Sequence, residues 1–304
     1  MARMEFATYQ RDKLKALTDV QIKEIGEMLI AYTNSGLKLD DRYMDKVNGR
    51  FCFRGDDKGD STANFDIDPV GGSFIFNKEI EGYYGEENTK GLPDEYYATI
   101  LSEKHLEELG LLPEDFRENM TLVHLGGLRM ATVGKDGLSA EYDKMVTVTY
   151  GRKLDGICVK GASRIVVNMG NYGELAGLVW NWPKLERKEV LAKNIIAPKN
   201  RRHQIGQQLQ SLYANSNVES ISINEVKIVL YDDGKGDIEP AMFVLGEVTQ
   251  EDGFVYLGDW ILPLLKSPKA TYTVSQRLHV YPGSEEDLRS GFVVDSCGDD
   301  DDNE

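Results

Sequence analysis

Residues 121–182 carry the pattern that most constrains the fold: short apolar runs with period-two alternation, separated by glycine-containing turns. Successive side chains of a strand point to opposite faces, so this alternation predicts strands with one buried face. The connections carry the tripeptides KDG, LDG and NYG, which suit tight turns. The stretch is therefore predicted to be a series of short strands joined by turns.

Three helices are predicted around this strand-rich stretch. Over 11–35, apolar residues recur at near-helical spacing and a glycine follows directly. Residues 93–110 begin with a proline, continue with two acidic residues and end on a glycine, all typical helix boundary signals. Over 200–214, the apolar residues again fall on one helical face.

Further strands are predicted at 50–54, in a hairpin within TANFDIDPVGGSFIFNKE, and in the runs VESISINEVKIVLY, EPAMFVLGEV and FVYLGDWILPLL. A last stretch, TYTVSQRLHVY, fits an edge strand. Helix followed by antiparallel sheet, twice, predicts an α+β fold of two tandem helix-plus-antiparallel-sheet units. The corresponding division is an N-terminal helix and loop at 1–60, a first unit at 61–185, a second unit at 186–283 and an acidic tail at 284–304.

An excess of acidic residues limits the partners. The chain has 35 Lys plus Arg against 51 Asp plus Glu, a formal net charge of −16. Phosphates need a basic footprint, so no nucleic acid is expected as a partner, and an anionic membrane surface is disfavoured. Since no run of about 20 apolar residues occurs, no membrane span is expected either.

The cellular compartment stays open at the level of sequence. The first residues, MARMEFATYQRDKLK, contain no apolar core of a secretory signal. Three cysteines lie far apart, which permits at most one intramolecular disulfide. Three unlinked thiols are the commoner outcome for such a set.

The segment Val148–Trp182 resembles the propeptide motif of thermolysin- and fungalysin-type proteases. In that motif an aromatic strand and a turn precede a glycine-bounded strand, a strand of alternating aliphatics, a second turn and another strand. The matching residues here are Tyr150, Gly156, Ile157, Val159, Gly161, Ile165, Val167, Asn171 and Gly173. Glycines at 156 and 161 suit tight turns between short strands.

The later segment KIVLYDDGKGDIEPAMFVLGEV resembles the PepSY-type module that follows in those propeptides, with a hairpin at Tyr231–Asp237 and a strand at Pro240–Val248. The resemblance implies PepSY/cystatin-like units, an extracytoplasmic location, and inhibition or chaperoning of a protease. If the resemblance does not hold, a cytoplasmic location is expected. The sequence departs from the family by having no HExxH motif, so the protease half is missing.

Two tryptophans suggest a binding surface. Trp180 and Trp182 lie two residues apart on one predicted strand and therefore face the same side. On an uncovered face, together with Tyr150, they would offer an aromatic platform to a peptide or glycan. The commoner outcome is that both tryptophans pack under a helix, and Leu178 on the same face favours the core.

Catalytic signals are weak. No nucleophile elbow, phosphate-binding loop or dinucleotide fingerprint occurs. Of the four histidines, His124 is the candidate general base, provided that an acid lies across the sheet from it.

Two acidic loops could hold Ca²⁺, which prefers six to eight oxygen ligands. The first contains Asp56, Asp57 and Asp60, and the second contains Asp232, Asp233 and Asp237. Neither has the spacing of an EF-hand. The alternative for the second loop is a hairpin turn, in which Asp-Gly is favoured by its backbone alone. No other cofactor is expected.

Three functions remain open. The favoured one is a non-catalytic propeptide/PepSY-like module that binds a partner protein or peptide along its sheet, for example as a protease inhibitor or chaperone. The second is an enzyme with an acid/base pocket between sheet and helices. The third is a structural subunit that assembles by strand addition, and the sequence leaves the oligomeric state open.

Overall fold

The structure is a computed structural model that describes residues 6–12, 16–41, 44–55, 62–79, 81–83, 85–134 and 137–272. The chain forms two compact units with interleaved sequence. The first unit takes 6–12, 153–163 and 184–272, and the second takes 16–152 and 164–183, each within the described residues. The four consecutive ranges expected from the sequence stay a prediction.

The described residues form thirteen strands and four α-helices, one of them a single turn. None of these helices has the length and hydropathy needed to cross a lipid bilayer. The helices are α1 (Asp19–Thr33), α2 (Glu95–Glu108), α3 (Phe116–Asn119) and α4 (Pro198–Leu212). The strands are β1 (Ala7–Arg11), β2 (Met44–Val47), β3 (Arg50–Arg54), β4 (Asn64–Ile67), β5 (Phe74–Asn77), β6 (Met120–Gly134), β7 (Gly137–Leu154), β8 (Ile157–Met169), β9 (Leu175–Asn181), β10 (Leu185–Glu189), β11 (Val218–Asp232), β12 (Glu239–Gln250) and β13 (Val255–Pro263).

The predicted fold class is wrong: the chain is predominantly β, and it is not two helix-plus-antiparallel-sheet units in tandem. The three long predicted helices are present, but three of the four α-helices belong to one unit. The strands also run longer than their apolar segments suggest, since β7 alone has 18 residues. In addition, β8 and β11 pair in parallel, whereas only antiparallel sheets were expected.

The second unit is an antiparallel sheet with α1, α2 and α3 packed on one face. Successive residues of β4 and β5 point to opposite faces of the sheet. Phe65, Phe74 and Phe76 are buried on one face, while Ile75 is exposed on the other. α1 begins at a capping box between Thr18 and Gln21 and ends at a left-handed asparagine. The sheet order is β2-β3-β4-β5-β9-β8, with the β6–β7 ribbon paired to β8 through β7.

The first unit is built on the antiparallel strands β11, β12 and β13, in that order. α4 covers one face, where Ile205 and Leu209 pack with Met242, Val244 and Trp260. β1 and β10 form a separate antiparallel ribbon in the same unit. A smaller cluster joins Ala7, Tyr9, Leu154, Val159, Leu230 and Ile238.

Two cysteines lie among the described residues. Cys52 is a buried free thiol, and Cys158 is disulfide-bonded. The expectation of three unlinked thiols is therefore wrong for Cys158.

Candidate functional site

The outer edge of β13 is the candidate functional site. β13 pairs with β12 over nine consecutive residue pairs, from Val255–Thr249 to Pro263–Ala241, without a register shift. No other strand in the described ranges pairs with β13. The strand therefore presents one straight, unpaired edge.

Two hydrogen bonds at the ends of this ladder show which backbone groups face outward. Gln250 N donates to Phe254 O at 2.8 Å, and Leu264 N donates to Pro240 O at 3.2 Å. In an antiparallel pair, residues alternate between exchanging bonds with the partner and pointing away from it. The even-numbered residues of β13 thus bond to β12. The odd-numbered residues 255, 257, 259 and 261 direct both N–H and C=O to the open edge.

A further backbone pairing lies beyond the end of β13. Ile196 N donates to Leu264 O at 3.0 Å, and Lys266 N donates to Asn194 O at 2.9 Å. This pairing involves 264–266 and does not reach residues 255–263. Among the described residues, no strand or loop backbone therefore bonds to the outer edge of β13 itself.

β13 shows little of what protects sheet edges, which is bulges, several charges or short length. The other open edges in the described part have them. β11 is bulged twice and carries Glu219, Glu225 and Lys227. β6 has three register shifts, β2 has four residues, and β10 is the charged segment LERKE. By contrast, β13 has nine residues and a single charge, at Asp259.

The outward-facing residues of β13 also share one face of the sheet. Tyr256, Trp260 and Leu262 are buried towards α4, so the odd-numbered side chains lie on the opposite face. Val255 is 47% exposed there, and the next three odd positions are half-buried. The open edge therefore carries an aliphatic row, VxLxDxI, interrupted only by Asp259.

Trp260 fixes β13 to the rest of its unit. Its ring lies over Gly258 and Gly246, where a Cβ on either glycine would approach the ring to 2.6 and 3.2 Å. Its Nε1 donates to Tyr213 Oη, next to the end of α4, at 3.2 Å. Since both the strand and the helix hold this side chain, the edge is a preformed surface.

A shallow cleft of about 460 Å³ lies on the second unit, lined by β3, β4 and β5. Burial, and then the neighbouring Asp66, raise the pKa of the Cys52 thiol above its ordinary value. Cys52 Sγ donates to Asp66 Oδ2 at 3.0 Å, and Arg50 is paired with Asp66 Oδ1. The thiol is therefore held neutral and is a poor nucleophile.

The predicted aromatic residues lie in the core of the second unit. Trp182 and Tyr150 are 3% and 1% exposed, and Trp180 stacks on Phe74 with ring centroids 6.0 Å apart. Trp180 Nε1 donates to Leu111 O at 2.9 Å. This is the commoner of the two expected outcomes, and a ligand-binding role for the three residues stays a prediction.

His124 lies on β6, opposite Thr149, with its ring over Gly126. A Cβ on Gly126 would approach the imidazole to 2.7 Å. No carboxylate among the described residues forms a hydrogen bond to His124. The described residues therefore provide no acid partner for His124. The role of His124 as a general base stays a prediction.

The carboxylates of the second acidic loop bind groups of the protein itself. Asp232 accepts two bonds from Arg11 Nη2, both at 2.7 Å, and further bonds from Ser163 and Gly234. Asp233 accepts the backbone N–H groups of Lys235, Gly236 and Thr271, and Asp237 pairs with Lys269. The described residues contain no group of three His, Cys, Asp or Glu arranged to hold a metal. Asp56, Asp57 and Asp60 lie outside the described residues.

Comparison with known proteins finds little that bears on the site. No family model and no curated protein match the sequence. Among solved structures, an uncharacterized protein from Eubacterium rectale is 10% identical, with 88% of this chain and 86% of that chain covered and a TM-score of 0.42. The Bacillus megaterium YpeB C-terminal domain is 13% identical, with 82% and 95% covered and a TM-score of 0.36. Likenesses this weak carry no argument about fold or ligand, and the propeptide resemblance stays a prediction.

Proposed function

We propose that this chain is a non-catalytic binding module that takes up an extended segment of a partner protein as an added strand along β13. The observation that carries the proposal is the open, unbulged and nearly uncharged edge of this strand. Main-chain hydrogen bonds to such an edge supply affinity, and the alternate side chains supply specificity. The propeptide resemblance would add two points to this proposal, namely that the partner is a protease and that the location is extracytoplasmic.

No observation favours an enzyme over this module. In the described cleft, the Cys52 thiol donates to Asp66, and Asp66 is also paired with Arg50, so these two groups do not form a free acid/base pair. The binding module is therefore the function that the described residues support best.

The test uses a displayed library of random eleven-residue peptides selected on the immobilised protein. Selected peptides are then measured against Leu257→Pro, which removes one outward N–H. Since the N–H of residue 257 does not bond to β12, the inner ladder stays complete, and edge strands accept proline at such positions. We expect the affinity for the peptide to fall about tenfold. This is the effect of losing one backbone hydrogen bond and leaving the peptide carbonyl without a donor.

Leu257→Ala is the matched control, because it removes the same side chain but keeps the N–H. The proposal requires Leu257→Ala to bind the selected peptides more tightly than Leu257→Pro does. Failure to select any peptide, or equal binding to both variants, contradicts strand addition. Circular dichroism of both variants establishes that the sheet is intact.

A further inference from the structure

We propose that the strand taken up by β13 carries a basic side chain opposite Asp259, with aliphatic side chains two residues to either side of it. The proposal rests on the proposed function and names the chemistry of the partner. It follows from the charge of the open edge and from one unsatisfied oxygen.

Asp259 forms no ion pair or hydrogen bond with a Lys, Arg or His in the described part of the chain. Its Oδ1 is shielded from solvent and has no hydrogen-bond partner among the described residues. Across the ladder it faces Leu245, whose neighbour on β11 is Glu225. The nearby Lys227 is bonded to Glu225 at 3.0 Å. A shielded carboxylate oxygen without a partner is costly, and a charged donor is the group that best satisfies it.

An added strand supplies that donor directly. The residue opposite Asp259 would point its side chain to the same face, with Cβ atoms about 5 Å apart. Opposite charges at such a cross-strand position are favourable, and like charges are unfavourable. An Arg or Lys at this position is therefore preferred, and an Asp or Glu is rejected.

The flanking positions follow from the same alternation. Leu257 and Ile261 lie two residues to either side of Asp259 on the same face, where Ile261 and its β12 partner Phe243 pack in a cluster with Ala270 and Tyr272. Aliphatic residues at the matching positions of the added strand would bury apolar area against this row. The recognised segment thus alternates as aliphatic, basic, aliphatic on one face.

Pairing of β13 with the β13 of a second copy does not meet the requirement. β13 has the sequence VYLGDWILP and no Lys or Arg. In any register of β13 against a second β13, Asp259 faces an apolar residue or another Asp259. Self-pairing would therefore leave the oxygen unsatisfied, and a net charge of −16 adds repulsion.

The experiment titrates the ¹⁵N-labelled full chain with acetylated, amidated peptides TVTVTRTVTVT and TVTVTETVTVT, following the amide signals of residues 257, 259 and 261. We expect the Arg peptide to bind the unmodified chain about tenfold more tightly than the Glu peptide. Asp259→Asn, which keeps the shape of the side chain, should reduce this ratio to about one. Asp259→Lys should reverse it.

Each outcome decides a different claim. Equal binding of both peptides to the unmodified chain, with shifts at residues 257 and 261, overturns the basic preference and leaves strand addition standing. No shift with either peptide overturns strand addition as well. Association of the chain with itself at the same amides, measured by dilution, overturns the choice of a basic partner over a second copy.

Discussion

At the scale of residues, Asp115 organises a polar cluster within the second unit. Its Oδ1 accepts Trp182 Nε1 at 2.8 Å, and its Oδ2 accepts Asn119 Nδ2 at 2.9 Å and a bond from Arg152. Arg152 is 3% exposed and also lies over the Trp182 ring, 4.9 Å from its centroid. Burial of Trp182 was the commoner of two outcomes that the sequence left open. Its partner 67 residues away was not predicted, because alternation shows which residues share a face and not what packs there.

Removing the carboxylate should therefore destabilise the second unit. Asp115→Ala removes the carboxylate that accepts bonds from the buried Arg152, Trp182 and Asn119, and we expect the free energy of unfolding to fall by about 3 kcal/mol. Asp115→Asn keeps an acceptor for Trp182 and should lose clearly less. Urea unfolding followed by tryptophan fluorescence measures both. Equal losses would show that the charge plays no part.

The same carboxylate predicts a dependence on pH. Burial by itself raises the pKa of Asp115, but bonds from Asn119, Trp182 and Arg152 outweigh it and hold the pKa below its ordinary value. A pKa depressed in the folded state stabilises the protein above the unfolded value of about 4, and this contribution is lost as pH falls further. The stability advantage of the unmodified chain over Asp115→Asn should thus be constant at neutral pH and shrink below about pH 4. An advantage unchanged down to about pH 2 would contradict this assignment.

At the scale of elements, local patterns predicted strands better than their pairing. The β4–β5 hairpin and the helices α1, α2 and α4 are confirmed, since each depends on neighbours in sequence. The parallel contact of β8 with β11 was missed, because it joins residues about 70 positions apart. The open edge of β13 was not predicted either, because the sequence does not show which strands pair. The apolar run of β13 with its one charge can nevertheless be read from the sequence.

Gly161 shows what this pairing requires. A turn was expected at both 156 and 161, but only Gly156 lies in a turn, whereas Gly161 lies inside β8. A Cβ on Gly161 would come within 2.1 Å of Asp232 O, and its φ is +105°. The glycine is there because two backbones approach closely, not because the chain reverses direction.

The two glycines therefore differ in what they tolerate. Gly156→Ala meets no described atom within 4 Å and should cost only the strain of a positive φ, about 1–2 kcal/mol. Gly161→Ala must also displace β11, so its cost should exceed about 3 kcal/mol. Thermal unfolding of the two variants measures the difference. Equal shifts in Tm would mean that β8 and β11 are not in close contact.

At the scale of the whole molecule, the first unit is assembled from three separate segments of the chain. The carboxylate of Asp232 is buried, and its donors Arg11 and Ser163 come from β1 and β8. Sequence reasoning cannot anticipate such interleaving, since a division into consecutive ranges follows composition rather than contact. Whether the predicted range 186–283 is nonetheless a folding unit can be tested.

We expect the isolated fragment 186–283 not to fold cooperatively. It lacks Arg11 and Ser163, the two side-chain donors to Asp232, and four members of the cluster around Leu230, namely Ala7, Tyr9, Leu154 and Val159. A buried carboxylate without its cation and an uncovered apolar cluster are both strongly destabilising. Calorimetry of the fragment should show no transition where the full chain shows one. A cooperative transition in the fragment would support the linear division instead.

Amide hydrogen exchange along β13 tests the central claim most directly. In the free chain, the amides of residues 257, 259 and 261 should exchange fast, while those of residues 256, 258, 260 and 262 should be protected by β12. With a bound library-selected peptide, the odd-numbered amides should become protected as well. Odd-numbered amides that are already protected in the free chain, or that stay unprotected when the peptide is bound, would contradict an open edge that takes up a strand.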